Sequence, residues 1–140
     1  MAEPETSQSL GTVLRKMTFD VFATGQHKIL CDEFFSIRDA VLLDVRSNEE
    51  VCLLSLAPAV NLTVLHIPIH EIPDRVDEIP ANRPVAVFCS AGIRATMVYV
   101  YLGTLGFSKV RIMSGGLPEW IRQAFPSAIW KRHRAAGEES

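Results

Sequence analysis

The sequence predicts an α/β protein with a small central, mostly parallel sheet flanked by helices. Short apolar runs recur along the chain, and each has the length of a strand that is buried on both faces. Segments of about ten residues, with apolar side chains at helical spacing, separate these runs. Alternation of this kind is typical of parallel sheets that carry helices on both faces.

The composition is that of one globular domain. The chain has 140 residues, of which 48% are hydrophobic and 21% are charged, and this is enough to form a core. A net charge of −2 gives no general reason to expect binding to nucleic acid or to a membrane surface. The sequence shows neither an apolar run that could span a membrane nor a secretory leader. Three cysteines, an odd and low number, favour a reducing compartment, so we expect a cytoplasmic protein.

Residues 1–26 are predicted to form an N-terminal extension with one amphipathic helix. Apolar residues fall at helical spacing over 11–24, and Gly25 is placed to end the helix. A main domain is predicted over 27–126, followed by a polar C-terminal tail over 127–140. Because this tail is basic and then acidic, with few apolar residues, we expect it to be mobile.

Within the main domain, apolar runs are predicted to be strands and the segments between them helices. The run that ends at Asp44 closes on a carboxylate, whereas Pro58 and Asn61 interrupt the segment that follows it. Pro73 starts or interrupts a later helix, and Gly106 ends the helix that comes after Arg94. The predicted strands lie over 27–30, 40–45, 62–67, 85–88 and 110–113, and the predicted helices over 32–37, 51–54, 69–79, 94–105 and from 118 onward.

Candidate catalytic chemistry lies where the strand over 85–88 ends. The chain continues there as Cys89-Ser90-Ala91-Gly92-Ile93-Arg94 and leads directly into a helix. Backbone N–H groups of such a loop, with the positive end of the helix, bind anions and favour a thiolate over a thiol. Arg94 adds forked donors for an oxyanion. Cys89 could instead be inert core, Gly92 an ordinary turn residue and Arg94 a solvated cation, but their combination favours an anion site around a sulfur nucleophile.

Four segments of the chain carry a family resemblance. They are Leu42-Leu43-Asp44-Val45-Arg46 with Glu50 following, His66-Ile67-Pro68-Ile69-His70-Glu71-Ile72-Pro73, the loop from Cys89 to Arg94, and Met113-Ser114-Gly115-Gly116-Leu117-Pro118-Glu119-Trp120. In this order and at this spacing they make the chain resemble a single-domain rhodanese, which is a sulfurtransferase. The resemblance covers roughly residues 27 to 126.

The resemblance implies roles for particular residues. Cys89 would accept sulfane sulfur and become a persulfide. Arg94 would help to hold a small anionic sulfur donor. Asp44 and Arg46 resemble structural supports near the site, and we expect an ion pair between Arg46 and Glu50. The substrate would be cradled by the backbone of Ser90, Ala91, Gly92, Ile93 and Arg94.

The chain departs from the family in two places. Leu56 stands where the family has a histidine, so nothing that this histidine does is carried over. The helix over 11–24 precedes the usual start of the family. Its simplest role is to cover the core, and the alternative is a contact with a second copy of the chain, giving a homodimer.

The leading functional hypothesis is a sulfurtransferase that moves sulfur from thiosulfate or a persulfide, through Cys89, to an acceptor such as cyanide or a protein thiol. One alternative is a cysteine phosphatase or arsenate reductase of the related fold. Those enzymes have one residue more than the four between Cys89 and Arg94, which gives tetrahedral phosphate a wider ring of N–H donors. The other alternative is a rhodanese-like binding module without activity.

The remaining residues suggest few further ligands. No metal and no cofactor are expected, because the histidines have no metal-ligand spacing with the cysteines. Basic residues 131–134 could dock an acidic sulfur-carrier protein. We expect structural roles for Cys31, at a helix start, and for Cys52, on a buried face.

Overall fold

A computed structural model describes residues 7–56 and 63–138 of the chain. In this part, five strands form one sheet in the order β1-β5-β4-β2-β3, and every pair of neighbouring strands is parallel. The predicted fold class is therefore confirmed. The strands are β1 (Lys28–Ile29), β2 (Val41–Asp44), β3 (Thr63–His66), β4 (Val85–Phe88) and β5 (Val110–Met113).

Helices connect the strands and flank the sheet. The α-helices are α1 (Leu10–Arg15), α2 (Phe19–Ala23), α3 (Cys31–Phe35), α4 (Asn48–Leu53), α5 (Ile93–Thr104), α6 (Gly116–Arg122) and α7 (Pro126–Glu138). Two 3-10 helices, Ile69–Asp74 and Val76–Glu78, lie between β3 and β4.

Strands β2 and β4 lie in the middle of the sheet and are buried along their whole length. Successive side chains of a strand point to opposite faces, so each strand contributes to both sides of the core. Leu43 and Val87 pack into one apolar cluster, and Leu42 and Phe88 pack into another. Burial on both faces explains why these strands are continuous apolar runs rather than alternating ones.

The parallel arrangement brings the carboxyl ends of the strands to one edge of the sheet. Asp44 at the end of β2 is in register with Phe88 of β4 on one side and with His66 of β3 on the other. Cys89 follows β4 directly, so it emerges between the segments that follow β2 and β5. Ligands of open α/β sheets bind at this edge.

The predicted helix over 11–24 is instead two short helices, α1 and α2, with a turn between them. Thr18 at this turn has extended backbone angles (φ −88, ψ 169) and begins α2 as its N-cap, which ends the helical path of α1. Helix α1 packs against α5, where the buried Val13 lies 3.4 Å from the Cβ position that a side chain at Gly103 would occupy.

Two other predicted segments also differ in the structure. The helix over 69–79 is a pair of 3-10 helices with Pro73 inside the first, because proline lacks the N–H that an α-helix needs there. Most of the tail over 127–140 lies in α7, although no helix is predicted there, and the expected mobility of the tail stays a prediction. Arg132 anchors α7 by stacking 4.5 Å from the ring of Phe35 and by donating a 2.8 Å hydrogen bond to the carbonyl of Gln123.

Several expectations stay predictions. The structure does not test the division of the chain at residues 26 and 126, the homodimer contact or the cytoplasmic location. Pro58 and Asn61 lie outside the described residues. Over the described ranges, no helix is both long and apolar enough to cross a membrane.

Candidate active site

The sulfur of Cys89 lies against the first turn of α5. Its Sγ accepts a hydrogen bond of 3.0 Å from the amide of Gly92 and one of 3.3 Å from the amide of Ala95. Gly92 caps the helix with a left-handed φ of +95, a conformation that other residues rarely adopt. The helix start therefore directs backbone donors and the positive end of its dipole at this sulfur.

The loop from residue 89 to 94 presents further N–H donors. Among the described residues, the amides of Ser90, Ala91 and Ile93 donate to no backbone carbonyl. The side chains of Ala91 and Ile93 are exposed, so the loop is open to solvent on that side. An anion that approaches the sulfur therefore meets backbone donors without displacing a protein acceptor.

The other side of the loop is closed by Glu50 of α4. Arg94 donates to both carboxylate oxygens of Glu50, at 2.5 and 2.9 Å, and also to the hydroxyl of Ser90 at 2.8 Å. The Ser90 hydroxyl in turn donates to Glu50 at 3.2 Å. The hydrogen bonds from Arg94 hold the pKa of Glu50 well below its ordinary value, and Glu50 raises the pKa of Arg94.

Glu50 is held in place by its own helix. Ser47 caps α4, and the backbone N–H and hydroxyl of Ser47 donate to Glu50 at 3.1 and 3.0 Å. This reciprocal arrangement is a capping box, which fixes the first turn of a helix. The same carboxylate therefore stabilises the first turn of α4 and ties this helix to the loop.

The expected ion pair between Arg46 and Glu50 is absent, and this prediction is wrong. Arg46 instead donates to Asp44, with Nη2 at 2.8 Å from the carboxylate, and both side chains are 1% exposed. The guanidinium of Arg46 lies 5.5 Å from the ring centroid of Phe88, and His66 Nε2 lies 2.8 Å from the Arg46 carbonyl oxygen. Arg46 therefore contacts residues at the ends of β2, β3 and β4, whereas Glu50 forms its ion pair with Arg94.

The turn after β5 supports the loop from a third direction, which the sequence analysis missed. Leu117 donates its amide to the carbonyl of Ser90 at 3.0 Å. Gly116, with a φ of +56, lies so close to this carbonyl that a Cβ atom at residue 116 would overlap with it. The only signal of this contact in the sequence is the pair Gly115-Gly116, because adjacent glycines allow a close backbone approach.

A family model for the rhodanese-like domain matches residues 31–123. The chain belongs to this family. The resemblance drawn from the sequence is thereby confirmed. We call the loop from Cys89 to Arg94, which follows β4, the rhodanese loop. The roles of individual residues in that loop stay predictions.

Two relatives and one solved structure illustrate the likeness. A sulfurtransferase from Allochromatium vinosum is 33% identical over 88 residues, covering 63% of this chain and 78% of that protein. A tRNA uridine(34) hydroxylase from Wolbachia sp. subsp. Brugia malayi is 29% identical over 94 residues, covering 66% of this chain and 34% of that protein. The structure of a NAD-dependent persulfide reductase from A. fulgidus matches with a TM-score of 0.56 and 34% identity, covering 72% of this chain and 17% of that chain. This rhodanese domain therefore spans only a minor part of the last two proteins.

The other cysteines differ from Cys89 in their surroundings. Cys31 begins α3, as expected, and is 2% exposed with its Sγ 3.5 Å from Met113 Sδ. Burial raises the pKa of the Cys31 thiol to about 11. Cys52 is exposed, so its predicted place on a buried face is wrong. Leu56, which the resemblance places at the position of a histidine, is buried with Phe88 in the core. Among the described residues, no group of histidine, cysteine and carboxylate side chains could hold a metal ion.

Substituting Gly116→Ala tests the support that the turn gives to the loop. The added Cβ meets the Ser90 carbonyl at a positive φ, so we expect a loss of about 1–3 kcal/mol in the free energy of unfolding, measured with urea. Gly11→Ala is the control, because its Cβ would lie at ordinary contact distance, 3.6 Å from Arg15. Equal stability of the two variants would contradict the close approach at Gly116.

Substituting Glu50→Gln tests the link between α4 and the loop. Because the Glu50–Arg94 pair is partly exposed, we expect the free energy of unfolding to fall by about 1 kcal/mol at neutral pH. A double-mutant cycle with Arg94→Gln should give a positive coupling energy between the two residues. Because the pKa of folded Glu50 is lowered, the stability that it contributes is present above its ordinary value of 4.5 and is lost as the pH falls below it. The difference in the free energy of unfolding between wild type and Glu50→Gln should therefore become smaller in acid. Glu49→Gln, in the same helical turn, should show neither effect.

Proposed function

We propose that this protein is a sulfurtransferase that moves sulfane sulfur from thiosulfate or a persulfide, through a persulfide of Cys89, to a thiophilic acceptor. The observation that carries the proposal is the pair of hydrogen bonds from the amides of Gly92 and Ala95 to Cys89 Sγ. Such bonds at a helix start stabilise a thiolate. The family membership and the name of the Allochromatium relative support the same activity.

The first half-reaction forms the persulfide. The Cys89 thiolate attacks the outer sulfur of the donor, a new S–S bond forms, and the S–S bond of the donor breaks with its electron pair leaving on sulfite or on a thiolate. The nucleophile in this step is the thiolate form of Cys89, which the amides of Gly92 and Ala95 at the start of α5 would stabilise. The N–H groups of Ser90, Ala91 and Ile93 would hydrogen-bond to the transferred sulfur and to the anionic molecule that supplies it.

The second half-reaction returns the enzyme to its starting state. An acceptor nucleophile attacks the outer sulfur of the persulfide, and the S–S bond breaks with its electron pair returning to Cys89. The amides of Gly92 and Ala95 then receive the thiolate again. Because one product leaves before the acceptor reacts, ping-pong kinetics are expected.

The neighbouring side chains position this machinery. Glu50 and Arg94 hold the loop through Ser90, and the Asp44–Arg46 pair holds the end of β2. In this proposal Arg94 positions the loop, and the structure does not test its predicted contact with the sulfur donor. The hydroxylase relative extends over roughly three times the matched length, so its activity is not carried over to this chain.

Substituting Cys89→Ser tests the proposal. After incubation with thiosulfate, the wild type should gain one sulfur atom in its intact mass, and Cys89→Ser should gain none because serine is not a sulfur nucleophile. Cys52→Ser is the control, since Cys52 is exposed and accepts none of the loop donors, and it should behave as wild type. A mass gain that persists in Cys89→Ser and is lost in Cys52→Ser would contradict the assignment. Faster hydrolysis of an aryl phosphate than sulfur transfer by wild type would favour the phosphatase alternative instead.

A further inference from the structure

The rhodanese loop has two sides that differ in charge. On the side of β2, Glu50 covers the loop and balances the charge of Arg94. On the side of β5 and β1, the loop borders an open cleft of about 520 Å³. This volume lies within the range of small-molecule sites.

The cleft is built from segments that lie far apart in the sequence. The loop contributes Ala91, Gly92 and Ile93, and the turn after β5 contributes Ser114 and Gly115. The opposite wall comes from the start of β1, which brings Lys28 into the lining. Gly92 lines the cleft and also donates its amide to Cys89 Sγ, so a molecule in this cleft would touch one of the residues that hold the sulfur.

The charge of the cleft comes from one side chain. Among the described residues that line it, Lys28 is the only lysine, arginine or carboxylate. Lys28 is exposed, and none of the ion pairs within the described ranges includes it. Its charge therefore adds to the positive end of α5 without a carboxylate to cancel it.

The N-terminal extension sets the place of Lys28. The turn that joins α2 to β1 has Gly25 at a φ of +69, and the Lys28 amide donates to the Gly25 carbonyl at 3.2 Å. The Lys28 stem runs over this turn, with Cε 3.4 Å from the Cβ position of residue 25. The ring of His27 stands edge-to-face with that of Phe22 in α2, with centroids 4.8 Å apart. The extension thus packs behind the wall of the cleft that His27 and Lys28 form.

We propose that this cleft binds the anionic end of the sulfur donor and that Lys28, rather than Arg94, supplies the cation that selects for it. The inference rests on the proposed sulfurtransferase function and names the specificity residue of the same site. Arg94 is then a positioning residue, since Glu50 already balances its charge.

The test compares electrophiles that differ in charge. Thiosulfate carries a double negative charge, whereas methyl methanethiosulfonate is neutral and reacts with the same thiolate by releasing a sulfinate. The 2-sulfonatoethyl and 2-trimethylammonioethyl methanethiosulfonates add an anionic and a cationic version. Rates of modification of Cys89 are followed by mass spectrometry in a Cys52→Ser background, which removes the exposed thiol.

We expect Lys28→Gln to slow the reaction with thiosulfate and with the anionic reagent roughly threefold to tenfold at low ionic strength, and Lys28→Glu to slow it further. The neutral reagent should react at the wild-type rate, and added salt should reduce the difference. Arg38→Gln is the matched control, because Arg38 is an exposed cation. It precedes β2 and so lies at the amino ends of the strands, whereas the rhodanese loop lies at their carboxyl ends.

Two results would overturn the inference. One is an unchanged rate with thiosulfate and the anionic reagent in Lys28→Gln. The other is an equal loss for neutral and anionic reagents, which would mean that the substitution disturbs the loop. If wild type gains no sulfur from thiosulfate at all, the sulfurtransferase function fails separately. The anionic and cationic reagents would then still show whether Lys28 selects the charge.

Discussion

The hydrogen bonds that Cys89 Sγ accepts from Gly92 and Ala95 depend on the backbone path of the loop between them. That path is fixed from outside the loop. Glu50 holds Ser90 and Arg94 from the side of β2, and Leu117 binds the Ser90 carbonyl from the side of β5. Because Ser90 is held from both directions, the loop is positioned by two segments that are distant from it in sequence.

The parts of this arrangement that are local in sequence could be predicted. The apolar run of β4, the cysteine at its end and the helix after it lie within twenty residues, and their pattern determines both the strand and the loop. The parallel sheet also followed from local patterns, since buried strands must alternate with covering helices. The break between α1 and α2 did not follow, because helical spacing continues through Thr18 while its backbone does not.

The long-range contacts could not be predicted in the same way. Glu50 is four positions from Arg46 and 44 positions from Arg94, and nothing in the sequence shows that the distant arginine is its partner. The choice follows from geometry, because Arg46 turns back to the buried Asp44 at the end of its own strand. The contact of Gly116 with Ser90 is also invisible in the sequence, since it depends on how the turn after β5 approaches the loop.

The ion pairs near Cys89 leave the stabilisation of a negatively charged sulfur to backbone groups. Asp44 with Arg46, and Glu50 with Arg94, are each neutral as a pair, so neither adds a net charge beside Cys89. The amides and the dipole of α5 remain as the stabilising groups, and they are fixed dipoles that need no rearrangement. In the proposed reaction the sulfur of Cys89 is first a nucleophile and later a leaving group. Fixed donors of moderate strength suit both steps, because a thiolate bound too strongly would attack the donor more slowly.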